Sequence, residues 1–113
     1  MTTTRQNKVA RLLQRDISDI LQKESRNLFR GALLTVTTVR ISPDLSFARI
    51  YVSVFAPNQG DKQELFEKLQ KNTARFRALL AQKVAKQLRI VPELAFFLDD
   101  SLDYESRIEE LLK

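Results

Sequence analysis

The sequence predicts an α+β fold in which a three-stranded sheet is packed by helices. Three observations carry this reading. Apolar residues recur every three or four positions over 4–27 and again over 61–89, the period of an amphipathic helix. Stretches over 33–42 and 47–56 are β-branched or strictly alternating, and a shorter one follows over 93–99. The chain has 113 residues and a hydrophobic fraction of 43%, which suits one compact core. A single domain over 1–113 is the expectation.

In the first helix, Val9, Leu12, Leu13, Ile17, Ile20 and Leu21 make the apolar stripe. Lys8, Arg11 and Arg15 make a basic stripe pointing away from it. Gly31 then interrupts, and the strand over 33–42 begins. Its alternation slips by one between Val36 and Val39, which predicts a bulge near Thr37-Thr38. Ser42-Pro43-Asp44 is turn chemistry, since Pro fixes φ and Asp bonds nearby backbone. In the next strand Ala48, Ile50, Val52, Val54 and Ala56 share one face, and Phe47, Arg49, Tyr51, Ser53 and Phe55 the other. Two strands joined by so short a turn predict an antiparallel hairpin.

Pro57-Asn58-Gln59-Gly60 ends the hairpin. From Asp61 to Arg89 the pattern is helical throughout, with Leu65, Leu69, Thr73, Phe76, Leu80, Val84 and Leu88 in step. This is too long for one uncapped globular helix. Asn72-Thr73 competes with helical bonding or caps a new start, so two helices should meet at a kink near 72–76, the second running to Arg89. Pro92 precedes a short strand from Glu93 to Asp99, and residues 104–113 form a final acidic helix.

The net charge of +5 is unevenly distributed. Residues 1–40 carry +5, residues 41–67 carry −2, residues 68–89 carry +7 without a single acid, and residues 90–113 carry −5. An acid-free basic block is the footprint of a polyanion binder, although a solvated helix face has the same composition. The chain has neither Cys nor His, which excludes disulfides, thiol catalysis, a Ser-His-Asp triad and zinc sites of the Cys/His kind. No apolar run reaches the roughly 18–20 residues of a membrane span, and the N-terminus lacks a signal peptide's apolar stretch. A cytoplasmic protein, with no membrane partner and no cofactor, is expected.

The order α-β-β-α-α-β is that of a type II KH-like RNA-binding domain, here with a C-terminal helix added. KH domains clamp the nucleotide backbone with a Gly-x-x-Gly loop between the two adjoining helices. Only Gly31 and Gly60 occur here, neither at that junction, so the loop is lacking and side-chain charge must replace it. On a continuous helix Arg75, Lys83, Lys86 and Arg89 would share one side about 120° wide, and Arg77 would lie about 200° from Arg75. With Lys71, these residues and the first-helix stripe of Lys8, Arg11 and Arg15 are the candidate RNA contacts.

Two other constellations compete. Phe47, Tyr51 and Phe55, interleaved with Arg49, suit base stacking, but an aromatic stripe more often marks core or a protein-interaction surface. Phe96 and Phe97 read as core, one ring on each face of the last strand. Asp99, Asp100 and Asp103 are the best case for a metal-dependent enzyme. They follow a strand end and precede a helix, where Asp serves routinely as a cap, and no nucleophile or phosphate loop accompanies them. No catalysis, no metal and no small-molecule substrate are expected.

Three stretches resemble one family. Ser42-Pro43-Asp44-Leu45-Ser46-Phe47-Ala48-Arg49-Ile50-Tyr51-Val52 is similar to the turn and second strand of ribosome-binding factor A. Leu88-Arg89-Ile90-Val91-Pro92-Glu93-Leu94-Ala95-Phe96-Phe97-Leu98-Asp99-Asp100-Ser101 is similar to that family's last strand, and Arg107-Ile108 to its closing helix. The resemblance implies a type II KH-like fold and a monomer that binds the immature small (30S) ribosomal subunit. It also implies help in late maturation of the 16S ribosomal RNA, growth at low temperature, and no catalysis. One departure concerns the interhelical kink, where the family's usual Ala-x-Gly is replaced by Asn72-Thr73-Ala74.

Overall fold

The computed structural model describes residues 4–29, 31–55 and 62–99, Arg26 by its backbone alone. The expected C-terminal helix over 104–113 lies outside the described residues, as do Ala56, Asp100 and Asp103. The elements are α1 (Thr4–Leu28), β1 (Leu33–Ile41), β2 (Phe47–Phe55), α2 (Lys62–Lys71), α3 (Thr73–Val84) and β3 (Glu93–Leu98). The strands form one sheet in the order β1-β2-β3, with β1 and β2 antiparallel and β2 and β3 parallel. A parallel pair needs a long crossover, and α2 and α3 supply it.

One face of the sheet is apolar because its strands alternate. Leu34, Val36, Ile41, Ala48, Ile50, Val52, Val54, Leu94 and Phe96 are buried there beneath the helices. The register shift between Val36 and Thr38 is the expected bulge. It inverts the alternation, so Ile41 returns to the core face that Leu34 and Val36 occupy. The bulge leaves the Val36 carbonyl to Gln14 of α1, whose Nε2 donates at 3.3 Å. Gln6, buried near the start of α1, donates to the Ile41 carbonyl at 3.0 Å. Two glutamines thus tie α1 to β1 at carbonyls the ladder does not use.

The α1 stripe of Val9, Leu13, Ile17, Ile20 and Leu21 is buried. From α2 and α3 come Leu65, Leu69, Phe76, Leu80 and Val84. Phe76 joins the layers: its ring lies 6.3 Å from Phe29 and meets Phe96 edge-on at 6.2 Å. The two phenylalanines of β3 divide as expected, Phe96 inside and Phe97 40% exposed on the other face.

The kink falls at Asn72, the one residue between α2 and α3. Its backbone sits at φ −100°, ψ 16°, a conformation open to any residue, so glycine is not required. The Asn72 Nδ2 donates to the Lys68 carbonyl at 2.8 Å and the Thr73 hydroxyl to the Gln70 carbonyl at 2.7 Å. The Asn72 side chain thus doubles the bond its own amide makes to the Lys68 carbonyl, and the Thr73 hydroxyl takes up the Gln70 carbonyl at the break.

One boundary differs from expectation. The second helix stops at Val84 rather than Arg89, and turns follow over 85–87. The amides of Gln87 and Leu88 both close on the Val84 carbonyl. The chain must reverse here to enter β3 beside Phe47, and Leu88 and Val91 pack back against the core. Lys86 and Arg89 therefore do not share a helical face with Arg75 and Lys83.

Candidate nucleic-acid interface

The basic residues separate into those that folding engages and those it leaves to solvent. Arg75 of α3 reaches Glu24 of α1, with Nη2 at 3.2 Å from Oε1. Lys83, two turns further, pairs with Asp19 of α1, which also holds Lys23 at 3.1 Å. The Lys83 ammonium, with Lys23 second, keeps the Asp19 carboxyl below its ordinary value. These pairs show that α1 and α3 run antiparallel, since the later residue of one meets the earlier of the other.

Arg77 has a different task. Its Nε donates to the Pro92 carbonyl at 3.1 Å and its Nη2 to the Val91 carbonyl at 2.8 Å. Both carbonyls belong to the connection into β3, which no ladder satisfies. The guanidinium fork closes two orphan acceptors at once and fixes where β3 begins.

Lys8, Arg11, Lys71, Lys86 and Arg89 are exposed and have no partner among the described residues. Arg15 lends its Nε to Asp16 at 3.3 Å yet leaves 71% of its side chain exposed. The antiparallel packing of α1 on α3 brings the N-terminal half of α1 alongside the 85–90 connection. A cleft of about 430 Å³ records that meeting, lined by Arg5, Val9, Leu45, Leu88, Arg89 and Ile90. Arg5 was not among the candidates from sequence, although it stands three residues before Lys8 in the same stripe. Lys71 lies at the opposite end of α3, whose twelve residues span roughly 18 Å. Folding thus makes two cationic regions, one large and one small.

The β1–β2 turn closes the cleft. Asp44 accepts from the Ser42 hydroxyl at 2.7 Å, the Ser46 hydroxyl at 2.7 Å and the Ser46 amide at 3.1 Å. These bonds, the Ser42 hydroxyl foremost, lower its pKa from 3.8 to about 2. Leu45 adopts φ 61°, a left-handed conformation unusual for leucine, and packs against the core.

Of the acidic trio only Asp99 is described. Its amide extends the β2–β3 ladder to Val52, and its carboxylate accepts from the Thr37 hydroxyl in the bulge. Among the described residues no group of three or more His, Cys, Asp or Glu is placed to hold a metal, and no helix is long and apolar enough to cross a membrane.

A family model described as ribosome-binding factor A matches residues 5–112. The chain belongs to the ribosome-binding factor A family. Ribosome-binding factor A of Cytophaga hutchinsonii is 42% identical over 112 residues, covering 99% of this chain and 83% of that one. That of Flavobacterium johnsoniae is 42% identical over 113 residues, covering 99% and 85%. The crystal structure of ribosome-binding factor A from Thermus thermophilus superimposes with a TM-score of 0.63 at 31% identity, covering 82% of this chain and 94% of that one. A homology model of the Thermus thermophilus factor, as fitted into a cryo-electron-microscopy map of a 30S complex, gives a TM-score of 0.57 at 32% identity, over 79% and 89%. The α+β architecture, three helices with a three-stranded mixed sheet among the described residues, is therefore that of ribosome-binding factor A structures.

Proposed function

We propose that this chain binds the small ribosomal subunit and assists late maturation of its 16S ribosomal RNA by non-catalytic contact. The family match over residues 5–112 is the observation that carries this reading, with the 30S complex of the Thermus thermophilus relative beside it. The protein acts in the cytoplasm as a monomer and supports growth at low temperature. Contact runs through Lys8, Arg11, Arg15, Lys86 and Arg89, joined by Arg5, at one end of the molecule, and through Lys71 at the α2–α3 junction. Each side-chain cation that neutralises a phosphate releases a counterion condensed on the RNA, which favours binding without reference to base sequence. Two separated regions fix orientation as well as affinity. Arg75 and Lys83, held by Glu24 and Asp19, contribute less, and Arg77 positions the connection that carries Arg89.

Ultraviolet crosslinking of the chain within an immature small-subunit particle tests this. Mass spectrometry should find nucleotide adducts on peptides from the N-terminal half of α1 and from residues 85–92. Crosslinks to ribosomal proteins alone, with no nucleotide adduct, would contradict RNA contact.

A further inference from the structure

The sheet has a second face, turned away from the three helices of the described residues. Of the five large hydrophobic side chains exposed among the described residues, four stand on it: Leu33, Phe47, Phe55 and Phe97, with Phe55 71% exposed. Tyr51 lies at its centre and stacks on Phe97 with ring centroids 5.4 Å apart. In the neighbouring row Arg40 sits directly opposite Arg49. Both are exposed, and neither has a partner among the described residues. Like charges opposed across a strand pair destabilise it, and nothing among the described residues accounts for this placement. The acids on this face stand at the two ends of β3, Glu93 beside Phe47 and Asp99 on Thr37.

We infer that this face binds single-stranded RNA, with bases stacking on Tyr51, Phe97 and their neighbours and phosphates meeting Arg40 and Arg49. Paired arginines with no counter-charge among the described residues complement an anion, and exposed rings beside them complement a flat base. An acidic polypeptide would satisfy the arginines but not the stacked rings. A duplex keeps its bases stacked internally and offers no faces. The inference rests on the RNA-binding reading above and adds a surface on the opposite side of the molecule from the α1 cations. RNA held at both would enclose the domain between two segments.

The experiment uses the full chain carrying Tyr104→Phe, which leaves Tyr51 the only tyrosine in a protein without tryptophan. The probes are a twelve-nucleotide oligouridylate, an RNA duplex of equal length and a decaglutamate peptide. Saturable quenching of Tyr51 fluorescence by the oligouridylate, and not by the duplex, is expected. Arg40→Gln with Arg49→Gln should weaken that binding about tenfold. The same pair should raise the thermal unfolding midpoint by about 1–5 °C, because the opposed charges are removed. Weaker binding by a more stable protein cannot come from misfolding. Phe97→Ala should also weaken binding about tenfold. Unchanged affinity in these variants, or quenching by decaglutamate in place of oligouridylate, would overturn the proposal. The second result would make the face a protein-interaction surface. Pelleting with small subunits separates the two readings. If Lys8→Gln with Arg11→Gln abolishes pelleting while the sheet variants bind oligouridylate normally, only the sheet proposal fails. If every variant pellets like the parent chain, the reading of the α1 cations fails.

Discussion

Asp44 shows how one side chain organises a turn and makes it sensitive to acid. Its carboxylate gathers two serine hydroxyls and one amide, and its pKa falls to about 2. The folded state therefore favours the charged form. That contribution is present above the ordinary value of 3.8 and is lost as pH falls toward about 2. Replacing Asp44 by Asn should narrow the stability difference from the parent chain as pH drops through that window, as unfolding curves at successive pH values would show. A constant difference would mean that the charge contributes nothing. Arg77 teaches a different point at this scale. Its turn of about 200° away from Arg75 was legible from helical geometry, but its acceptors were not. The Val91 and Pro92 carbonyls become orphans only through the path the chain takes into β3.

At the scale of elements, periodicity was sufficient wherever one face is buried and the other is not. The bulge was legible because the apolar phase changes between Val36 and Val39, and the kink because Asn72-Thr73 interrupts a run of good helix formers. The end of α3 was not legible. Ala85, Lys86, Gln87, Leu88 and Arg89 all favour helix, and the stop is imposed by the need to reach β3. The junction also shows that the glycine usual in the family is dispensable here. Asn72 makes the break with ordinary backbone angles, and Ala74 already lies in the first turn of α3. Ala74→Gly should therefore cost roughly 0.5–1 kcal/mol in denaturant unfolding without altering small-subunit binding. A gain in stability would show instead that the junction is strained.

At the scale of the molecule, folding reassigns the charge that the sequence displays. The block over 68–89 holds seven bases and no acid, yet Arg75 and Lys83 meet acids of α1 and Arg77 is absorbed by backbone. Glu24 and Asp19 stand some fifty residues or more away in sequence, so no local pattern could announce those pairs. Conversely, Arg5 and Arg89 lie at distant positions yet line one cleft. The aromatic stripe of β2 was legible as a stripe, but whether helices covered it could be learned only from the sheet's packing.

In the function proposed above, the cations that folding leaves unpartnered make the RNA contact. Its most direct test is the salt dependence of binding to immature small subunits. Three proteins are compared: the parent chain, a variant with Lys8, Arg11, Lys86 and Arg89 changed to Gln, and one with Arg75 and Lys83 changed to Gln. The slope of log affinity against log salt should fall by about three to four in the first variant, roughly one per lost phosphate contact, and by less than about one in the second. Equal slopes in all three proteins, or the larger change in the second, would contradict the account.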